Sequence, residues 1–289
     1  MRQLLSGRLP LATFAVCAIA VLAAGCGGGK KSSATTTSGS QASIAAPSSI
    51  KSAGKLLFCT DITYPPEEFY KGTTPTGSDI DIGAEIARRM GVKASFDNTG
   101  FEGIIAALLS KKCDLIISGM NDTPERRKQV DFVDYLSIGQ SFLIQKGNPK
   151  HITDIASLSG KVASVEVGTT NKDYLDGQNK KLNAAGKKEF KVVTFPKDTD
   201  AANALKTGKV DAYFADSPVV AYYIGLDPSS FEFAKNPEVV NPIPVGMAFR
   251  KDEMDLRSAV QTAVNAMYAD GTMTKILGRW KMGAFALKK

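Results

Sequence analysis

Strand-like and helix-like segments alternate twice along the chain, and this order restricts the fold more than any other feature of the sequence. A strand is predicted at 56–60, and the apolar residues that follow it, Ile82 and Ile86, recur at helical spacing. The same order restarts after residue 160, where helical segments separate further strands predicted at 161–167, 191–195 and 210–215. We therefore predict an α/β chain of two lobes, each a mostly parallel sheet flanked by helices.

Two stretches, one in each predicted lobe, are similar at a constant offset. Residues 107–115 and 204–212 lie 97 positions apart, and both have the pattern of a helix end, a turn and a buried strand. This offset makes Gly119 and Asp216 equivalent, each at the carboxyl end of its strand, where open α/β sheets bind ligands. Chance similarity is the alternative explanation, because this structural unit is common.

The N-terminal segment has the composition of an export signal. The apolar run at 11–24 follows two arginines and is shorter than the roughly 20 residues that span a bilayer. Small residues precede Cys26, as in a bacterial lipobox, although Ala23 stands where lipoboxes usually carry Leu. We predict a signal peptide over 1–25 and lipidation of Cys26. The alternative is ordinary cleavage that leaves a free thiol.

A low-complexity segment follows the predicted signal. It contains no aromatic or acidic residue, so it cannot bury enough apolar surface to fold, and we predict a lipidated flexible tether over 26–50. The net charge of the chain is +7, but the first fifty residues supply four of these charges. The small remaining excess argues against nucleic-acid binding. The predicted folded parts are lobe I, residues 51–138 and 243–289, and lobe II, residues 139–242.

Cys59 and Cys113 are the two cysteines that remain after signal removal and lipidation. An even pair in an oxidising compartment predicts a disulfide. Two buried free thiols are the alternative, because bridged Cα atoms must lie within about 7 Å of each other.

Polar residues follow several predicted strands, in loops where binding residues concentrate. Thr123 and Pro124 predict a helix start beside Arg126, and residues 168–170 predict a second helix start. Helix N-termini attract anions, and an arginine can hold a carboxylate with two parallel hydrogen bonds. A solvated surface arginine is the alternative interpretation of Arg126.

Four segments together carry a family resemblance: CTDITYPPEEF from Cys59, SGMNDTPER from Ser118, VEVGTT from Val165 and VDAYFAD from Val210. In this order they resemble the bacterial extracellular solute-binding proteins of family 3, the polar amino-acid-binding lipoproteins of ABC importers. The resemblance extends over 55–280. It implies the type II periplasmic-binding-protein fold, with two hinge crossings near 137–141 and 240–244.

The resemblance also implies a ligand site at the strand ends. Grouped by the part of the amino acid that they contact, its residues are Arg126, Asn121 and Thr170 for the α-carboxylate, Asp216 and Gly119 for the α-ammonium, Tyr64 and Phe101 for the aliphatic part, and Asp61, Ser118 and Glu166 for the far end. Core packing is the alternative role of Tyr64 and Phe101, and exposure to solvent is the alternative for Glu166.

Two acids at the far end favour a cationic ligand such as arginine, lysine or ornithine, because an acidic ligand would be repelled there. Glutamine is the rival, since Asp61 can also accept a hydrogen bond from an amide. The family resemblance implies a monomer that is exported, anchored to the outer face of the membrane, and delivers the amino acid to permease subunits.

The sequence favours binding over catalysis. The one histidine, His151, lies in a polar segment, and no Cys/His cluster has metal-ligand spacing, so we expect no metal and no cofactor. An enzyme of the same fold, such as a dehydratase, is the alternative function. A sensor that presents the amino acid to a membrane receptor is another.

Overall fold

The computed structural model describes residues 43–235 and 240–287. The strands are β1 (Lys55–Thr60), β2 (Thr63–Tyr64), β3 (Glu68–Lys71), β4 (Thr74–Thr76), β5 (Lys93–Asn98), β6 (Leu115–Ile116), β7 (Asp131–Gln145), β8 (Val162–Glu166), β9 (Lys191–Phe195), β10 (Ala212–Asp216), β11 (Phe231–Phe233) and β12 (Val240–Phe249). The α-helices are α1 (Ser48–Ala53), α2 (Ser78–Arg89), α3 (Ile104–Leu109), α4 (Pro124–Arg127), α5 (Thr170–Ala184), α6 (Asp198–Lys206), α7 (Ser217–Leu226), α8 (Met254–Ala269) and α9 (Thr272–Arg279). Short 3-10 turns cover Phe101–Gly103, Ala156–Leu158 and Gly283–Phe285.

The main sheet of the described residues has the strand order β5-β1-β6-β12-β7-β10-β8-β9, and β11 pairs with β7. On one side β1 is parallel to β5 and β6, and on the other β8 is parallel to β9 and β10. Between them β7 and β12 run antiparallel. The α/β fold with parallel strands on both sides is therefore confirmed, but one sheet runs through the whole molecule.

The strands β7 and β12 carry the chain between the two sides. β7 contributes Val133 and Ile138 to one hydrophobic cluster, whereas Leu143 belongs to another. Pairing in this ribbon shifts register between Val240 and Ile243, around a proline that has no backbone N–H to donate. The two segments predicted as crossings thus lie side by side, and the ladder is irregular between them.

Separate hydrophobic clusters lie at the two ends of the sheet. The larger one packs α2, α8 and α9 against β1 and β12, with Ile82, Ile86 and Val260 fully buried. The others pack α5, α6 and α7 against β8 and β10. We name the first group lobe I and the second group lobe II, and together they form one compact unit. The helix α8 places its apolar face, including Leu256 and Val264, in the lobe I core.

The folded part begins earlier than the predicted tether boundary at residue 50. Ser43 and Ile44 donate backbone hydrogen bonds of 2.9 and 3.0 Å to the Arg89 carbonyl, and α1 follows. Ile50 is 4% exposed within the lobe I core. The average composition of the segment concealed this, because a few apolar residues suffice to dock it. The predicted signal peptide, Cys26 and the tether before residue 43 lie outside the described residues.

Cys59 and Cys113 form a disulfide, with Cα atoms 5.6 Å apart. The bridge joins β1 to the loop between α3 and β6, within a cluster that contains Ile104 and Leu108. It fixes the segment after β1, which leads directly to Asp61. Among the described helices, none has the length and apolarity needed to cross a membrane.

Candidate functional site

A cavity between the lobes gathers residues from distant parts of the sequence. Eight of the ten predicted ligand residues line it: Asp61, Tyr64, Phe101, Gly119, Asn121, Glu166, Thr170 and Asp216. Arg126 lies at its edge, with its guanidinium carbon 5.3 Å from the centre of the Phe101 ring. The sequence prediction therefore placed nearly the whole set at one location.

Ser118 is the predicted residue that does not line the cavity. Its hydroxyl accepts a 2.9 Å hydrogen bond from the Asp61 backbone N–H and donates one of 2.8 Å to Glu68. Both contacts lie within lobe I, and Ser118 is buried. Ser118 therefore holds the Asp61 loop from behind.

Arg126 is positioned by the short helix α4. Thr123 caps this helix by accepting a 3.2 Å hydrogen bond from the Arg126 N–H, and Pro124 occupies the first turn, as predicted. The guanidinium donates to the Asn121 carbonyl at 2.9 Å and to the Gly168 carbonyl of lobe II at 3.1 Å. Burial lowers the pKa of Arg126. Arg126 takes part in none of the ion pairs formed by the described residues, which leaves a largely buried cation available for an anion.

The N-terminus of α5 supplies the lobe II side of this end. Thr169, one residue before the predicted cap Thr170, accepts a 3.3 Å hydrogen bond from the Lys172 N–H. The Thr170 hydroxyl donates to the Asn121 side-chain oxygen at 2.6 Å, and Gln140 donates to Thr170 at 3.2 Å. The first turn of α5 thus points its N–H groups toward the cavity side that holds Arg126.

The lobes approach closely beside this end. Gly168 has a φ of +78°, and a Cβ there would lie 3.0 Å from the Cα of Glu102 in lobe I. Only a glycine combines this backbone conformation with so short an approach. Together with the bonds of Arg126 and Thr170 across the gap, this contact describes a closed arrangement of the lobes.

Asp216 stands at the carboxyl end of β10 and is 1% exposed. Asn171 donates to it at 3.4 Å, and the Tyr64 hydroxyl is a second hydrogen-bond donor. Burial raises the pKa of Asp216 to about 6, while these hydrogen bonds and the charge of Arg126 oppose the rise. The site therefore holds a carboxylate that an ammonium group would stabilise in its ionised form.

The opposite end of the cavity is acidic. Asp61 accepts hydrogen bonds of 2.7 Å from the Thr63 hydroxyl and from the Phe101 N–H, and burial raises its pKa. Glu166 is 3% exposed, so the alternative that it points to solvent is wrong. Burial raises the pKa of Glu166 well above its ordinary value, and the charges of Asp198 and Asp61 raise it further. One oxygen of Glu166, Oε1, has no hydrogen-bond partner.

The two aromatic residues of the predicted site combine lining and packing. Tyr64 comes from lobe I but packs with the lobe II cluster around Tyr213. Its ring also limits Gly119, where an added Cβ would lie 3.1 Å from it. Phe101 lies at the cavity and against the cluster of Ile104. Core packing and ligand contact were presented as alternatives for both residues, and the structure is compatible with both roles at once.

Three polar residues near the cavity were not predicted. Thr169 and Asn171 line it, and Gln140 supports Thr170 from β7. Thr169 and Asn171 flank Thr170 in sequence, so the predicted helix start at 168–170 could have indicated that they lie at the site. Gln140 gave no signal, because it lies inside the long strand β7 and away from any strand end or helix start. In the part of the chain that the structure covers, no group of side chains has the arrangement of a metal site.

Comparison with known proteins gives matches over the folded part. The sequence profile described as "Bacterial extracellular solute-binding proteins, family 3" matches residues 56–283. ABC transporter arginine-binding protein 1 of Escherichia coli (strain K12) is 31% identical over 233 residues, which cover 79% of this chain and 91% of that protein.

Solved structures are similar as well. An ancestral arginine-binding protein bound to arginine is 35% identical, with a TM-score of 0.72 over 78% of this chain and 98% of that one. Its complex with glutamine gives a TM-score of 0.71 at 35% identity, over 79% and 98%. An ancestral amino-acid-binding protein described as a precursor of cyclohexadienyl dehydratase is 33% identical, with a TM-score of 0.73 over 80% and 97%.

Proposed function

This chain belongs to the bacterial extracellular solute-binding proteins, family 3, and from that premise we propose that it captures a free cationic amino acid, with arginine as the foremost candidate. The ligand lies between lobe I and lobe II, which move about the β7–β12 ribbon and enclose it. Its carboxylate pairs with Arg126, its α-ammonium with Asp216, and its cationic side chain extends toward Asp61 and Glu166.

One observation carries the proposal: among the described residues that line the cavity, three carry carboxyl groups and none is basic. Asp61, Glu166 and Asp216 line it, and its described lining includes neither lysine nor arginine. Arg126 at the edge provides the one guanidinium that touches the lining residues. An amino acid with a cationic side chain carries two positive groups and one negative group, which complements this distribution of charge.

The unpartnered oxygen of Glu166 supports a side chain that donates hydrogen bonds. A buried carboxylate is costly by several kcal/mol unless it is paired, and this cost raises the pKa of Glu166 well above its ordinary value. A guanidinium or ammonium group arriving there supplies both the charge and the donor. A ligand with an acidic side chain meets two carboxyl groups instead and is rejected.

The relatives support the same class of ligand. The Escherichia coli protein is named for arginine, and the ancestral protein was solved with arginine and with glutamine. Glutamine therefore remains the second candidate, because its amide also donates hydrogen bonds to carboxylates. It brings no positive charge to the acidic end, and we place it after arginine for that reason.

A thermal-shift panel of the twenty amino acids and ornithine tests the ligand class. A ligand present at about 100 times its dissociation constant stabilises the folded protein by about 2.7 kcal/mol. We expect arginine, lysine and ornithine to raise the melting temperature most and glutamine less. Aspartate and glutamate should have no effect, and stabilisation by either of them would contradict the proposal. Calorimetry on the positive ligands then gives their dissociation constants.

We further propose that the protein binds its ligand without transforming it. The relatives with assigned names are binding proteins, and the cavity is lined by no histidine or cysteine among the described residues. The dehydratase alternative keeps support from the ancestral precursor structure. Mass spectrometry of arginine after prolonged incubation with the protein is the test, and recovery of the intact amino acid is expected. Prephenate-like cyclohexadienyl substrates should likewise remain unchanged.

The delivery partners are the permease subunits of an ABC importer, as the name of the Escherichia coli relative suggests. We propose that a lipid on Cys26 anchors the protein outside the cell membrane and that the protein acts as a monomer. Substitution Cys26→Ser should release the protein from the membrane fraction, and light scattering should give the mass of one chain. Retention of the variant in the membrane fraction would contradict lipidation.

A further inference from the structure

Outside the cavity, three aromatic rings connect the lobes. The ring of Phe69 on β3 lies 5.4 Å from that of Tyr222 on α7 and 5.8 Å from that of Trp280 after α9, measured between ring centres. Phe69 and Trp280 belong to lobe I, whereas Tyr222 belongs to lobe II. We name this group the three-ring contact.

The rings on the lobe I side are held in place. The indole N–H of Trp280 donates a 2.8 Å hydrogen bond to Asp81, and Arg279 donates to the same carboxylate oxygen at 2.8 Å. Trp280 also packs against the lobe I core. Trp280 and the Phe69 ring that packs against it are therefore expected to move together with lobe I.

The ring on the lobe II side is tied to the crossing between the lobes. The helix α7 begins at Ser217, whose hydroxyl donates a 2.8 Å hydrogen bond to the Gly139 carbonyl in β7. Tyr222 lies five positions further along this helix, and its partial burial raises the pKa of its hydroxyl. A rotation of lobe II about the β7–β12 ribbon displaces Tyr222 relative to Phe69.

The three-ring contact is separate from the ligand site. None of its residues lines the cavity around Asp216, and Tyr222 and Trp280 instead border a groove that Pro66 and Pro218 also line. An effect of these rings on ligand binding must therefore act through the relative position of the lobes.

We propose that the three-ring contact favours the closed arrangement and thereby sets ligand affinity, with Tyr222 as a positioning residue for capture. The affinity part rests on the proposed function, whereas the conformational part does not. A ligand that binds the closed form has an apparent affinity proportional to the closed fraction. Aromatic pairs contribute modestly, so removing the Tyr222 ring weakens binding by roughly 3- to 10-fold.

The experiment compares Tyr222→Ala with two matched variants. Tyr222→Phe keeps the ring, and Leu226→Ala removes a side chain that is 64% exposed on the same helix and borders the same groove. Small-angle scattering without ligand measures the opening of the lobes. Emission of Trp280, the one tryptophan of the chain, reports on the ring environment, and calorimetry with arginine gives the affinity.

For Tyr222→Ala we expect a larger radius of gyration without ligand, a red shift of Trp280 emission and weaker arginine binding. Tyr222→Phe and Leu226→Ala should behave like the wild type. The proposal is overturned if Tyr222→Ala matches the wild type in scattering and affinity, or if Tyr222→Phe is as defective as Tyr222→Ala.

If Tyr222→Ala does not fold, Phe69→Leu tests the same proposal, because it removes the central ring from the lobe I side. It should open the ligand-free protein in the same way, and an unchanged radius of gyration would overturn the proposal. If the wild type binds no amino acid at all, the proposed function fails, while the ligand-free scattering still tests the three-ring contact.

Discussion

The two ends of the cavity hold charge in opposite ways. At one end the cation Arg126 donates to two backbone carbonyls, and at the other Glu166 and Asp61 are buried acids, where burial and the charge of Asp61 raise the pKa of Glu166. The first end suits a carboxylate, which every amino acid has. The second suits only certain side chains. On the proposed mode of binding, one set of residues recognises the backbone groups that all amino acids share, and a separate set distinguishes among their side chains.

The largest test of this comparison removes the cation. Arg126→Met should weaken every amino acid ligand by about 3–5 kcal/mol, because the ligand carboxylate is then buried without a partner. Calorimetry with arginine and with glutamine measures the loss. Arg127→Met is the control, since that side chain is 57% exposed and pairs with Asp122. If Arg126→Met bound amino acids with wild-type affinity, the proposal that Arg126 binds the ligand carboxylate would be wrong.

Neutralising an acid at the acidic end of the cavity should reduce the affinity for some ligands more than for others. Glu166→Gln should weaken arginine by about 1–3 kcal/mol and glutamine by much less, because only arginine loses an opposite charge. The exposed Glu189→Gln is the control. Glu166 is preferred to Asp61 for this test, since Asp61 also holds the Phe101 backbone. Equal losses for both ligands would mean that this end does not recognise charge.

The acids also make binding depend on pH. Asp216 has a pKa of about 6 without ligand, and its partnership with an ammonium group requires the ionised form. Below about pH 6 the protonated fraction grows, so affinity should fall by up to about tenfold per pH unit. Raised pKa values at Asp61 and Glu166 act in the same direction.

Calorimetry at pH 5, 6, 7 and 8 in two buffers of different ionisation enthalpy measures this effect. Arginine should bind more tightly as the pH rises and should release protons on binding. Constant affinity across this range, without proton release, would show that the carboxyl groups are already ionised in the empty cavity.

The smallest expected loss of affinity concerns Asn171, which supports Asp216 and therefore the recognition of the α-ammonium group common to all amino acids. Asn171→Ala removes a donor to Asp216, and we expect all ligands to lose about 0.5–1.5 kcal/mol alike. Asn183→Ala, on the exposed end of the same helix, is the control. If only the affinity for arginine fell, Asn171 would act on recognition of the side chain at the acidic end and not on Asp216.

Local patterns predicted what depends on neighbours in sequence. The helix at 254–269 follows from its apolar spacing, and the cap of α4 follows from Thr123 and Pro124. The site residues that came from the family motifs lie together because those motifs follow strand ends. The disulfide pair followed from the count of cysteines that remain in the predicted exported protein.

The features that the sequence analysis did not predict depend on contacts between segments that are far apart in sequence. The pairing of β7 with β12 was not predicted, because apolar spacing does not identify a partner strand about a hundred residues away. The hydrogen bonds that Ser118 makes with Asp61 and Glu68 were also not predicted, because these residues are about 50 positions away in sequence. The three-ring contact was missed for the same reason, since Phe69 and Tyr222 meet only in the fold.

The docking of Ser43 and Ile44 onto the end of α2 has a mechanical consequence. The chain enters the folded part on lobe I, so anything that restrains the preceding residues restrains lobe I first. On the proposed mode of binding, lobe II is then the half that swings, and it carries Glu166, Thr170 and Asp216 toward an amino acid held by Arg126 of lobe I. A force probe attached upstream of residue 43 would therefore leave ligand-driven motion free, whereas one on α7 would oppose it.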